Sequence, residues 1–125
     1  MLMSEKRTTR SRPRYDRDIA NAVAAAQDKK AEDLSLLDLR SISSFTSYFL
    51  IMTGRSARQT QAIADFVEEN LRDKRKRRPL SVEGFQKGDW ILMDYGDFIV
   101  HIFTPPTREY YGLERVWGDA ARIEV

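Results

Sequence analysis

The sequence predicts a single α/β domain, a mixed sheet of about five strands packed with helices. Three observations predict it. An alanine-rich face repeats at helical spacing after residue 16, and Tyr48–Thr53 is an almost unbroken apolar run. In the second half, two alternating runs meet at Gly96-Asp97, as in a hairpin. A length of 125 residues suits one sizeable core and not two.

The elements follow in order. Residues 1–15 are polar, basic and broken by Pro13, which predicts a disordered basic tail before a domain over 16–125. Asp16–Lys29 reads as a helix, with Ile19, Ala22, Val23 and Ala26 on one face. Asp16 or Asp18 suits its N-terminal end, and Lys29 and Lys30 suit its C-terminal end. Such a small face should pack closely on a flat surface, such as a sheet. Leu34–Leu39 reads as a short strand, and Tyr48–Thr53 as a strand buried on both faces and ended by Gly54. Ser56 looks like an N-cap for a second helix over Ala57–Leu71, whose stripe is Ile63, Phe66, Val67 and Asn70/Leu71. Arg72–Arg78 reads as a charged loop, and Pro79 blocks any continuation of the helix. Leu80–Glu83 is a short strand, followed by a turn containing Gly84 and Gly88. Trp90–Tyr95 and Phe98–Phe103 form the hairpin. Pro105 and Pro106 stop its second strand and open a short helix, Thr107–Tyr111, which Leu113–Trp117 extends or follows.

Composition excludes several classes of function. With no cysteine there are no disulfides or thiolate metal sites, and a reducing compartment fits. His101 is the single histidine, so no relay or metal site can use two. The longest apolar runs are about six residues, too short to span a membrane. The basic start is short for an organelle transit peptide and lacks an apolar face, so a bacterial cytoplasm is expected over an organelle.

The net charge of +2 hides an asymmetry. Residues 1–17 carry +4 and residues 71–78 carry +5, which leaves −7 on the remainder. An acidic body favours a basic partner, and the basic runs could touch phosphates or merely be solvated surface.

Four constellations could carry chemistry. Asp94 and Asp97 flank the hairpin turn, but two carboxylates fall short of a cation's usual ligand count, and Asp and Gly are what turns prefer. A turn role, with Asp exposed for partner contact, is therefore expected, and no metal. His101 shares a strand face with Ile99 and Phe103, has no nucleophile motif beside it, and reads as a hydrogen-bonded strand residue or part of a contact surface. Thr53-Gly54-Arg55-Ser56 sits where a helix N-terminus could hold an anion, but the glycines of a phosphate-binding loop are missing, so an N-cap is expected. Arg108–Asp119 mixes aromatics, arginines and acids, the composition of a binding hot spot. The bland alternative for that segment is a terminal helix in which Tyr110, Leu113 and Trp117 cover the sheet edge.

Tyr48-Phe49-Leu50-Ile51, Thr53-Gly54-Arg55-Ser56-Ala57-Arg58-Gln59 and Ala62-Ile63-Ala64-Asp65 resemble the central motif of the ribosomal silencing factor family, also called Iojap-like or RsfS. Val82-Glu83-Gly84, the run Asp89–Phe103 and the run Arg108–Ala120 resemble its second half in order and spacing. The resemblance covers about residues 16–120. Ser47 stands where the family often has an acid, and Arg55 where Asn or Thr is common.

The resemblance implies a fold related to nucleotidyltransferases without their catalytic acids, no enzyme activity and no cofactor. It implies binding to ribosomal protein uL14 on the large subunit, which blocks joining of the small subunit and represses translation when nutrients are scarce. It also implies a homodimer. Together with the charge pattern it marks Trp90, Asp94, Tyr95, Asp97, His101 and Tyr111 as a docking face, with Arg108, Glu114 and Trp117 as further candidates. Two rival readings stand beside it. A nucleotidyltransferase-type enzyme would need two or three acids converging near Thr53–Ser56. A small RNA-binding module would use the tail and the basic loop 72–78, which could also make a peripheral rRNA contact for a silencing factor.

Overall fold

A computed structural model describes residues 17–125. The expected tail and Asp16 lie outside the described residues. In chain order the elements are α1 (Arg17–Asp28), β1 (Glu32–Asp38), β2 (Tyr48–Thr53), α2 (Ala57–Arg75), β3 (Ser81–Glu83), β4 (Trp90–Asp94), β5 (Phe98–Phe103), α3 (Pro105–Tyr111), α4 (Leu113–Val116) and β6 (Ala121–Ile123). The six strands form one sheet in the order β3-β4-β5-β2-β1-β6. β2 and β5 run parallel, and every other pair is antiparallel.

The two faces of the sheet are covered unequally. α1 and α2 pack against each other and close the first face, and Ala22, Ala25 and Ala26 share one core with Leu36, Leu50, Val100 and Ile102. The second face carries Leu37, Phe49, Ile51, Ile99 and Phe103. Only α3, α4 and neighbouring loops lie over it, through Leu113, Trp117 and Ala120. β2 and β5, central in the sheet, are buried along their whole lengths, as an apolar run flanked on both faces must be.

Several elements differ from expectation, most of them by one or two residues at an end. α2 continues to Arg75 instead of ending at Leu71, because Arg72, Lys74 and Arg75 suit the last turn of a helix, and Lys76 caps it at φ 58. The strand expected at Leu34–Leu39 is Glu32–Asp38, with a bulge between Glu32 and Ser35. A sixth strand, β6, pairs with β1 through Leu36, Leu37 and Asp38. Of the two arrangements expected for the C-terminal segment, the second helix follows the first and does not extend it, and the first begins at Pro105 instead of Thr107. Gly112 at φ 54 separates α3 from α4, so Tyr110 points to solvent at 79% exposure while Leu113 and Trp117 pack on the second face.

Candidate docking face

The hairpin builds the centre of the site. Trp90, Leu92 and Asp94 pair with Phe103, His101 and Ile99, so all six project from the second face. β3 extends this row, placing Glu83 beside Leu92 and Ser81 beside Asp94. Half-buried Trp90 stacks on Phe103 at 5.0 Å, and α3 brings the Tyr111 ring to 4.6 Å from it. Tyr111 stays 46% exposed. Glu83, Gly84, Trp90 and Leu92 line a shallow hollow of about 220 Å³. The result is an aromatic centre with carboxylates beside it and a concavity next to the indole.

Beneath this surface, Trp90 donates its indole N–H to Nδ1 of His101 at 3.1 Å. His101 is 3% exposed, and burial pushes its pKa down to about 4, so the ring is neutral at pH 7. It also meets Phe49 edge-to-face at 4.5 Å, and Phe49 meets Trp117 at 5.7 Å. The aromatic network therefore runs without a break from Tyr111 to Trp117 across the sheet.

At the hairpin turn, Asp94 accepts the backbone N–H of Gly96 at 2.8 Å, and Gly96 adopts φ 92. Asp97 is exposed and pairs with Arg77 at 2.9 Å. Each carboxylate thus has its own partner, and no group of three His, Asp or Glu gathers as a metal-ion cage among the described residues. At the other turn, Ser56 accepts from the N–H of Gln59, and Arg55 donates its backbone N–H to the Gln59 side chain at 2.7 Å. The helix N-terminus there is capped by its own side chains, as the sequence led one to expect.

α3 is bolted in place by Arg108. Its guanidinium donates to the Asp33 carbonyl at 2.7 Å, to Thr53 Oγ1 at 2.8 Å and to Glu114 at 2.8 and 3.2 Å. The Arg108 partnership holds the Glu114 carboxyl below its ordinary range. Arg122 completes the cluster by donating to Ser35 at 2.9 Å.

The family model described as "Ribosomal silencing factor during starvation" matches residues 13–125. The chain belongs to the ribosomal silencing factor family. It is 44% identical over 99 residues to the ribosomal silencing factor RsfS of Bacillus subtilis, covering 79% of this chain and 83% of that one. It is 40% identical over 109 residues to RsfS of Halalkalibacterium halodurans, covering 83% and 88% of the two chains. A crystal structure of a protein from Chromobacterium violaceum superposes with a TM-score of 0.78 at 34% identity, covering 81% of this chain and 83% of that one.

Within this silencing-factor fold the nine sequence-predicted residues separate by role. Trp90, Asp94 and Tyr111 come together on the second face, with Asp97 at the end of the hairpin. Tyr95 and His101 do not join them at the surface. Each is 3% exposed, and Tyr95 points into the first-face core, stacked on Phe98 at 5.0 Å. Their expected contact role is corrected to support from below. Arg108 and Glu114 are engaged with each other and with the sheet, so they position α3. Trp117 covers Phe49 at the far end of the network.

Sequence reasoning missed Leu92, Glu83 and Arg77. The first two become visible only once β3 pairs with β4, and Arg77 was hidden inside a run of charges.

Proposed function

We propose that this chain docks through the Trp90 face onto ribosomal protein uL14 of the large subunit. Bound there, it blocks joining of the small subunit and represses translation when nutrients are scarce. Family membership supports the ribosome as partner. The carrying observation is the half-open sheet face, with Trp90 and Tyr111 at its centre and Glu83, Asp94 and Asp97 beside them. A desolvated aromatic centre supplies affinity, and acids around it favour encounter with a basic protein. The chain acts by occupying a surface, as a binding factor, and a bacterial ribosome puts it in the cytoplasm. No helix among the described residues is long and apolar enough to cross a membrane. Homodimerisation would use apolar side chains away from Trp90, such as Phe45 and Val116, which are 59% and 69% exposed.

A subunit-joining assay tests the reading. Large subunits preincubated with the purified protein should fail to form couples when small subunits are added, as followed by light scattering. Full coupling at saturating protein would overturn it.

A further inference from the structure

Beside the hairpin the sheet ends in an open edge. β3 is the outermost strand there and pairs only with β4. All three of its residues are exposed, and so is Leu80, which precedes it. An edge strand presents backbone N–H and C=O groups on its outer side, a template for another extended chain. Both ends of β3 are held in place. The Leu80 N–H donates to the Asp94 carbonyl at 2.6 Å, which fixes the start of the strand to β4. Past the other end, Gln61 of α2 donates to the carbonyls of Phe85 at 2.8 Å and Gln86 at 3.1 Å, and the Gly88 N–H donates to the Gly84 carbonyl at 3.0 Å.

The two sides of this edge differ in chemistry. Val82 pairs with Met93 of the first-face core, and Leu80 lies two residues before it, so these exposed aliphatic side chains share that side. Ser81 and Glu83 pair with Asp94 and Leu92 on the second face, the side of Trp90. Gly84, at φ 80, brings its backbone so close to the Trp90 carbonyl that a Cβ there would lie 2.1 Å from it. The hollow beside the indole is therefore walled by the end of β3, and a chain laid along β3 runs into it. The opposite edge, β6, has Arg122 as its charged residue and lies at the far end of the sheet.

We propose that β3 is a strand-addition edge, on which an extended segment of the docked basic protein pairs as the next strand of the sheet. The proposal rests on the ribosome-docking reading and deepens it, because it states the chemistry of the segment the site takes. That segment alternates basic and apolar side chains. Its basic residues fall on the second face, beside Glu83 and the Trp90 hollow, and its apolar residues fall beside Leu80 and Val82. Main-chain hydrogen bonds supply affinity, and the alternating side chains supply selectivity. An edge already fixed at both ends loses little freedom when a strand joins it. The acid of β3 lies on the same side as the acids of the docking face, so one basic partner satisfies both.

Amide hydrogen exchange on the full chain tests this, with purified uL14 and a capped peptide alternating Lys and Val as the two probes. In the free chain the amides of Leu80–Glu83 that point away from β4 should exchange quickly, and each probe should protect them. Leu80→Lys/Val82→Lys puts charge on the edge but on the side away from Trp90. It should weaken uL14 binding by about tenfold, and the loss should persist in high salt, where long-range repulsion is screened. Bound uL14 that leaves those amides exchanging at their free rate overturns the proposal and leaves face-on docking standing. If uL14 does not bind while the peptide protects the edge, the docking reading fails and the edge stands. Failure of both probes overturns both. Protection already present in the free chain and lost on dilution assigns the edge to a second copy, and the proposal falls.

Discussion

Trp90 and His101 are diagonal neighbours across the β4–β5 pair, and the indole N–H of Trp90 donates to His101 Nδ1 at 3.1 Å. Because Nδ1 accepts, the imidazole proton is assigned to Nε2. The bond sets the tilt of the Trp90 indole, which stacks on Phe103 at 5.0 Å. Replacing His101 with Leu keeps the volume and removes the acceptor, leaving a half-buried donor unpaired. The expected loss is about 1–3 kcal/mol, read from the urea midpoint. Affinity for large subunits should fall as well, because the indole loses its fixed orientation. An unchanged midpoint would show that the bond is not structural.

His101 also sets a pH dependence. Its folded pKa is about 4, below the ordinary 6.5, because burial disfavours the cation. Between those values the unfolded chain binds a proton that the folded chain does not, so stability falls as pH drops from about 6.5 towards 4. The slope is at most about 1.4 kcal/mol per pH unit. Asp38 and Glu114, both with lowered pKa values through Arg40 and Arg108, add loss at lower pH as they become protonated. The His101 ring proton shift should stay flat from pH 8 to 5 in an NMR titration. An inflection near 6.5 would mean the ring is reached by water.

Buried Asp18, in the first turn of α1, accepts from Arg75 and Arg77, and Arg77 also donates to Asp97, so Asp18→Asn should weaken a three-way tie among α1, the end of α2 and the hairpin turn. Arg75 and Arg77 are partly exposed, with side-chain exposures of 35% and 29%, so the loss is discounted to roughly 1–3 kcal/mol. Chemical denaturation measures it. A destabilisation confined to the start of α1, without effect on the hairpin, would contradict the three-way tie.

Arg108→Lys keeps the charge and loses the planar fork. A single ammonium cannot serve Glu114, Thr53 and the Asp33 carbonyl together. Amide exchange across Arg108–Gly112 should quicken, and docking should weaken through misplacement of Tyr111. Unchanged exchange would place the hold on α3 elsewhere.

Much of this was legible in the sequence because it depends on local pattern. Tyr48–Thr53 reads as fully buried because it is apolar on both alternating faces. Ile99, His101 and Phe103 fall on one face because strand geometry allows nothing else. Ser56 caps α2 as its hydroxyl allows. The remainder depends on partners distant in the chain. β6 is three residues long and exists only against β1. The Arg108 bolt joins residues 75 apart to fix α3. Burial of Tyr95 and His101 could not be read from alternation, which tells which face a side chain takes and not what covers it. Whether Leu113–Trp117 extends or follows the helix ending at Tyr111 was left open, because the i, i+3, i+7 spacing of Tyr110, Leu113 and Trp117 suits one continuous helix, whereas Gly112 at φ 54 breaks it.

The central claim is that the Trp90 face carries docking. The most direct test is co-sedimentation of folded Trp90→Ala and Asp97→Ala proteins with purified large subunits, with Phe45→Ser as a control at the far end of the aromatic network. Both docking variants should fail to co-sediment, with a loss of affinity for Trp90→Ala of at least about thirtyfold, the lower range for a central interface aromatic. The control should bind normally. Retained binding by both docking variants would contradict the account.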